Sequence, residues 1–209
     1  MTAAAHALSP TDRFHRFVFR FGHRSDTDGF EVRAMLPDRR EREVIFGKVA
    51  AAVSLIAEHD RRRFAYLLRH LPRVWVVGLP AAIAQCHHNL GMCVLDFDYV
   101  TAESTSAGHL AQTLIHEGAH ARLARAGFSY NEPARPRIER ICVRQEAAFA
   151  RRLPGATQLV GEAEERLQYR DELFSNRARR DRELVALRDL GRLGRLAYRI
   201  VTAIRRRAV

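Results

Sequence analysis

The sequence predicts an α+β fold with a small mixed sheet and a mainly helical C-terminal half. Four short segments with the pattern of strands all lie before residue 101. In longer segments, apolar residues recur every three or four positions, which predicts helices with one buried face. Because the strand patterns are grouped in the first half and helical patterns alone follow them, the two kinds of element are largely segregated along the chain.

The length and composition are those of an ordinary globular protein. The chain has 209 residues, of which 47% are hydrophobic and 28% are charged, so it can bury a core without disulfides. Its three cysteines exclude a disulfide scaffold. No apolar run approaches the roughly 20 residues of a transmembrane helix, and the first ten residues do not resemble a secretory signal. We therefore expect a soluble cytoplasmic protein.

The four predicted strands are short and apolar on at least one face. Phenylalanines alternate with other residues at 17–21, which is the two-residue period of a half-buried strand. Residues 30–36 are predicted to be the partner strand, with a loop at 22–29. Two further apolar, β-branched runs lie at 73–77 and 92–100. The chain before the first strand is expected to be a loose tail.

Helices are predicted between and after these strands. One or two helices cover residues 43–71, where apolar side chains recur at helical spacing. Another helix follows the polar caps at 101–106 and ends at 126, before a glycine that suits a C-terminal cap. The remaining predicted helices lie at 138–153, 158–174 and 182–207.

One motif stands out in the helix that ends at residue 126. His116 and His120 lie four positions apart, so their imidazoles share one helix face. Two imidazoles in that arrangement can bind a single metal ion. Glu117, beside the first histidine, is placed to take a proton from water at the metal. The His-Glu-x-x-His spacing therefore predicts a metal centre.

The next predicted helix offers carboxylates for a third ligand. Glu139 and Glu146 lie 19 and 26 residues after His120 and share one helix face, because they are seven positions apart. That face is otherwise apolar, and a carboxylate there is costly unless it is paired or bound to a metal. The carboxylate that is not a ligand would orient a ligand histidine. Cys142, on the same face, is a further candidate as a thiolate ligand.

These residues resemble the zincin superfamily of metallopeptidases, in its gluzincin-like form, whose third ligand is a glutamate on a later helix. The resemblance covers roughly residues 92–153. It implies a zincin-like fold, in which an active-site helix packs on a small mixed sheet and Zn²⁺ lies between that helix and the next. It favours Glu139 as the third ligand because the spacing is near that of these peptidases, and Glu146 remains the alternative.

The resemblance also implies metal-assisted hydrolysis of a peptide bond in a peptide or protein substrate. Glu117 would be the general base. An extended substrate would add to an edge strand of the sheet, expected at residues 92–99. The tetrahedral oxyanion needs a donor, and the candidates are Tyr130, Tyr169, Arg122 and Arg137.

Two other groups of polar residues have simpler interpretations. The cysteines and histidines at 86–93 lack the paired spacing of structural zinc sites, so we expect them to be ordinary loop residues. Asp96 and Asp98 lie two positions apart in a predicted strand and share one of its faces. We expect them to face solvent or to pair with arginine at a sheet edge.

The charge balance suggests an alternative function. Lysines and arginines number 35 against 24 acidic residues, which gives a formal net charge of +11, and Lys48 is the single lysine. The helix predicted at 182–207 is basic and amphipathic, which suits an anionic membrane or nucleic acid. The alternative is therefore a non-enzymatic basic binding protein. The predicted domains are a zincin-like unit at 13–155 and a helical extension at 156–209.

Overall fold

A computed structural model describes residues 8–35, 37–79, 82–178 and 180–181. Its strands are β1 (His23–Thr27), β2 (Phe30–Ala34), β3 (Arg73–Val77), β4 (Ala84–His87) and β5 (Met92–Asp96). They form one mixed sheet in the order β1-β2-β3-β5-β4. The three inner strands are parallel, and each edge strand is antiparallel to its neighbour. The predicted α+β class and small mixed sheet are confirmed.

The helices form layers around this sheet. They are α1 (Pro10–Phe19), α2 (Arg39–His59), α3 (Arg61–His70), α4 (Phe97–Thr101), α5 (Ala107–Arg125), α6 (Arg135–Ala150) and α7 (Thr157–Leu167). Side chains of α2 and α5 pack on one face of the sheet, and α1 contributes to the cluster on the other face. α6 packs on α5, and α7 packs on α6.

The core follows the alternation of side chains along the inner strands. In β3, Val74 and Val76 are completely buried in the cluster shared with α2 and α5. Trp75, between them, joins Phe19 of α1 in the cluster on the opposite face. Successive side chains of a strand point to opposite faces, so the central strands are buried on both sides. This burial explains why β3 and β5 read as continuous apolar runs.

The strands predicted at 30–36 and 73–77 are confirmed as β2 and β3. The segment at 43–71 contains two helices, α2 and α3. They are separated at Asp60, whose side chain caps α3 by accepting a hydrogen bond from the Arg63 backbone at 3.1 Å. The helix predicted to end at 126 is confirmed as α5, and the one predicted at 138–153 is α6.

The strand predicted at 17–21 is wrong, since this segment lies largely in α1. Ser9 caps that helix by accepting a hydrogen bond from the Asp12 backbone at 3.0 Å, and Pro10 occupies the first turn. The phenylalanines do not share a buried face, because Phe19 is buried while Phe17 and Phe21 are exposed. The expected loose tail therefore ends earlier than predicted.

The loop predicted at 22–29 is also wrong, because it contains strand β1. β1 and β2 form a hairpin whose two-residue turn is Asp28 and Gly29, with φ angles of 47° and 87°. Both angles lie in the left-handed region that a type I′ turn requires. The Asp-Gly pair was the available signal for this hairpin.

The strand predicted at 92–100 ends at Asp96, and it is not an edge strand. β5 lies between β3 and β4, so the edge on this side of the sheet is β4, which the sequence patterns did not reveal. Asp96 ends β5 by capping α4, since its carboxylate accepts hydrogen bonds from the backbone of Tyr99 at 2.9 Å and of Leu79 at 2.7 Å. The expectation of a solvent-facing or arginine-paired Asp96 is wrong for this reason.

Beyond residue 155, the structure describes residues 156–178 and 180–181. The helix predicted at 158–174 is confirmed as α7 up to Leu167, and a 3₁₀ turn follows at Asp171–Phe174. Val143 and Ala147 of α6 are buried against Ala163 of α7. The basic helix predicted at 182–207 lies outside the described residues, as do the contacts predicted for it.

In the described part of the chain, we find no helix with both the length and the apolar character needed to cross a bilayer.

The buried cap of α3 gives a test of this architecture. Asp60 is 3% exposed and pairs with Arg63 and with Arg152, whose Nη1 lies 3.3 Å from its Oδ2. We expect Asp60→Ala to lower the free energy of unfolding by about 2 kcal/mol, because it removes a helix cap together with the charged hydrogen bonds of a buried carboxylate. Asp38→Ala, which removes an exposed cap of α2, should cost only about 1 kcal/mol. Equal losses in urea denaturation would contradict this account.

Candidate metal centre

The two histidines of the motif are held together by α5. This helix begins at Ser106, whose hydroxyl accepts a hydrogen bond from the His109 backbone at 3.2 Å, while His109 Nδ1 accepts one from the Ser106 backbone. His116 and His120 follow on one face of the helix. Their Nε2 atoms lie 3.0 Å apart and their ring centroids 4.8 Å apart. The predicted pairing of the two imidazoles is therefore present in the fold.

Glu139 of α6 faces both imidazoles. Its Oε2 lies 3.3 Å from Nε2 of His116, and its Oε1 lies 3.6 Å from Nε2 of His120. A tetrahedral site with ligands at 2.0–2.1 Å has donors separated by about 3.3 Å. The separation of the two nitrogens and their distances to the two Glu139 oxygens are therefore close to the donor spacing of a zinc site.

Glu146 lies on the other side of His116. One of its oxygens contacts Nδ1 of His116, and the other contacts the guanidinium of Arg166 on α7. The side chain is 1% exposed. Since Nδ1 is the nitrogen that faces away from Glu139, Glu146 has the position of a carboxylate that orients a ligand histidine. Arg166 was not identified from the sequence, because no local pattern indicates that α7 returns to this site.

Cys142 is a second candidate for the third donor. Its sulfur and a ring nitrogen of each histidine all lie within 4.8 Å of one another. Burial raises the pKa of this thiol, and the charges of Glu139 and Glu117 raise it further. A neutral thiol binds metals less well than a thiolate. The structure thus offers two donors on α6 to the histidine pair, Cys142 and Glu139.

Glu117 projects from a different face of α5, toward the sheet. It is 6% exposed, and its charge raises the pKa of Cys86 on β4 and of Cys93 on β5. Burial raises the pKa of Glu117 itself to about 7, and the charge of His116 opposes this shift. A carboxyl group with a pKa near neutrality can accept and return a proton at physiological pH.

The two histidines have opposite electrostatic surroundings. Burial lowers the pKa of His116, but the hydrogen bonds to Glu139 and Glu146 outweigh it, and the net pKa is raised well above its ordinary value. Burial and then the charge of His116 lower the pKa of His120 to about 4. Burial alone would raise the pKa of Glu139, but His116 is the main cause of its fall to about 2. In the absence of a metal, these pKa directions favour a protonated His116 and a neutral His120.

The structure places the two candidate tyrosines differently. Tyr130 lies beside the site, with its ring 5.2 Å from that of His120 and its hydroxyl in contact with Glu139. Tyr169 instead accepts a hydrogen bond at its carbonyl from Arg140, and its ring packs against Phe174. The alternative candidate Arg122 lies on another face of α5, and Arg137 is exposed on α6.

The cysteines and histidines at 86–93 do not form a second site. Cys86 and Cys93 are directly opposite each other on β4 and β5 as free thiols, so the expected loop is in part a strand. His87 packs against His15 of α1, with ring centroids 4.7 Å apart. Within the described ranges, no cluster of three metal-binding side chains involves these residues.

Comparisons with known proteins give no relatives for this chain. No protein-family model, curated protein or solved structure matches it significantly.

The identity of the third donor can be tested by metal content. We expect His116→Ala and His120→Ala to abolish stoichiometric zinc binding, and Glu139→Gln to weaken it more than Glu146→Gln. The latter should cost roughly 10- to 100-fold in affinity, as expected for a partner of a ligand histidine. Cys142→Ala is the matched control from the same helix face and should retain zinc. Loss of zinc in Cys142→Ala with retention in Glu139→Gln would identify the thiolate as the ligand instead.

Proposed function

We propose that this protein is a zinc-dependent hydrolase of the zincin type, most consistent with a metallopeptidase. The observation that carries the proposal is the approach of two imidazole nitrogens, 3.0 Å apart, to the two oxygens of Glu139, at 3.3 and 3.6 Å. A buried glutamate directly follows the first histidine on α5. A mixed sheet under the helix is in keeping with a zincin-like fold. In this proposal His116, His120 and Glu139 hold the metal.

Zinc bound by these residues would polarise a carbonyl group and lower the pKa of water. Glu117 would accept the proton that water gives up and would later deliver it to the leaving amine. Its burial supports this role, because desolvation brings its pKa close to the pH at which it must work. Glu146 would fix the ring of His116, and Arg166 would hold Glu146 in place.

The proposed substrate is an extended peptide or protein segment along β4. This strand forms an edge of the sheet, and it packs next to α5. An edge strand offers unpaired backbone groups to which a peptide can hydrogen-bond as an additional strand. β4 takes the place of residues 92–99 in this role, because those residues include β5, an inner strand.

Tyr130 is the proposed donor to the oxyanion. Its side chain is partly open to solvent, and the role is supported by its contacts with His120 and Glu139, two of the proposed ligands. Tyr169 has no such contact in the described residues.

Replacing the general base should separate metal binding from catalysis. We expect Glu117→Gln to keep one zinc per chain but to lose cleavage of a mixed peptide library, followed by mass spectrometry. The amide has the shape of the acid but cannot accept the proton. Glu164→Gln, an exposed change on α7, is the matched control and should cleave like the wild type. Undiminished cleavage by zinc-loaded Glu117→Gln would refute the proposed role.

The two tyrosines provide a second, independent test. Tyr130→Phe should reduce kcat roughly 10- to 1,000-fold with little change in KM, because an oxyanion donor acts in the transition state. Tyr169→Phe should have no effect on either constant. Zinc content is measured in parallel, since Tyr130 also contacts Glu139. The assignment fails if Tyr130→Phe binds zinc and retains full kcat.

A further inference from the structure

A cavity lies on a face of α5 that does not carry the metal centre. It lies between α3, α5 and the end of α6, opens to solvent, and has a volume of about 450 Å³, within the roughly 300–1,000 Å³ of small-molecule sites. The α5 residues that line it include Gly118, Ala119 and Arg122, whereas His116, Glu117 and His120 do not line it. A ligand here would not contact the proposed catalytic residues.

Arginine dominates the lining of this cavity. Five arginines contribute to it, against one carboxylate, that of Asp60; they are Arg62, Arg63, Arg69, Arg122 and Arg152. Asp60 is buried and pairs with two of them, Arg63 and Arg152. The other three form no ion pair with any residue that the structure describes. These three are exposed, so they give the mouth of the cavity an excess of positive charge that no ion pair among the described residues offsets.

Tyr66 supplies a second, independent indication of a ligand. Its side chain lines this cavity, and its hydroxyl oxygen is buried without a hydrogen-bond partner among the described residues. The ring is fixed by packing against His70, with centroids 4.4 Å apart. An unsatisfied buried hydroxyl is unfavourable, and it becomes favourable when an oxygen of a ligand accepts its hydrogen bond.

We propose that this cavity binds a small phosphate-bearing ligand through Arg62, Arg69, Arg122 and the hydroxyl of Tyr66. A carboxylate has two oxygens and is satisfied by a single guanidinium fork. A phosphate monoester presents three terminal oxygens and nearly two negative charges, so it can use several guanidinium groups together with a hydroxyl donor. The donors in this cavity therefore match a phosphate better than a carboxylate.

The test is an NMR titration of the full-length protein with inorganic phosphate, and with succinate as the carboxylate comparison. We expect phosphate to bind at least about 10-fold more tightly than succinate and to shift the resonances of α3 and α5 around the cavity. Arg69→Gln and Arg122→Gln should each weaken phosphate binding about 10-fold, because each removes a charged hydrogen bond. Arg40→Gln makes the same charge change on an exposed part of α2 and should leave the affinity within about 2-fold.

Tyr66→Phe keeps the proposal testable if an arginine variant fails to fold. This variant removes an unpaired hydroxyl, so we expect its thermal stability to be unchanged or higher while phosphate binding weakens. Equal affinities in wild type, Tyr66→Phe and the folded arginine variants would overturn the proposal, as would an equal loss in Arg40→Gln.

The same titration, repeated in the presence of lipid vesicles, distinguishes a soluble phosphate ligand from a lipid headgroup. A soluble ligand predicts that free phosphate binds the cavity whether or not vesicles are present. Binding to phosphatidylglycerol vesicles that depends on Arg69 and Arg122, with no binding of free phosphate, would overturn a soluble ligand in favour of a lipid headgroup. Neutral phosphatidylcholine vesicles control for binding that is independent of charge.

Discussion

The packing of α6 against α5 is the contact on which the candidate metal centre depends. His116 and His120 are fixed relative to each other by a single helix, but Glu139 reaches them only because α6 lies alongside α5. Small and apolar residues make this approach close, including Ala119 of α5 and Cys142 of α6, which share a buried cluster. On another face of α5, Gly118 leaves space for Leu67 of α3, since a Cβ atom at this position would lie 2.6 Å from a methyl group of that leucine. α5 is thus held by close contacts on two sides.

The site concentrates ionisable groups where water is scarce. Glu117 and Glu146 are buried, and the side chains of His116, His120 and Glu139 are each less than a fifth exposed. Burying several carboxylates together is unfavourable unless positive charge accompanies them. Arg166 supplies part of that charge, since its guanidinium contacts Glu146. A divalent cation between the two imidazoles would supply more, which is consistent with the metal of the proposed function.

Local patterns predicted the parts of the structure that are determined locally. The helix of the two histidines has an N-terminal cap, apolar spacing and a C-terminal glycine, and each of these signals lies within a few residues of the element it defines. In the N-terminal helix, the alternating phenylalanines have the period of a strand, whereas the signal for the helix is the Ser-Pro pair at its start. β4 is four residues long and half-buried, so it has no apolar pattern of its own. The choice between Glu139 and Glu146 depends on which imidazole nitrogen each one faces. Which nitrogen each carboxylate faces is set by the packing of α6 on α5, and the position of both residues on one helix face does not predict it.

The contact between Arg166 and Glu146 also determines where the chain can be divided. The Pro-Gly pair before α7 resembles a domain boundary in the sequence. α7 nevertheless carries Arg166, whose guanidinium contacts the buried carboxylate of Glu146 next to His116. A fragment that ended at this pair would expose the face of α6 that packs against α7. It would also leave the carboxylate of Glu146 without the guanidinium of Arg166. The smallest autonomous unit that preserves the histidine pair in its present setting therefore extends at least to the end of α7, at Leu167.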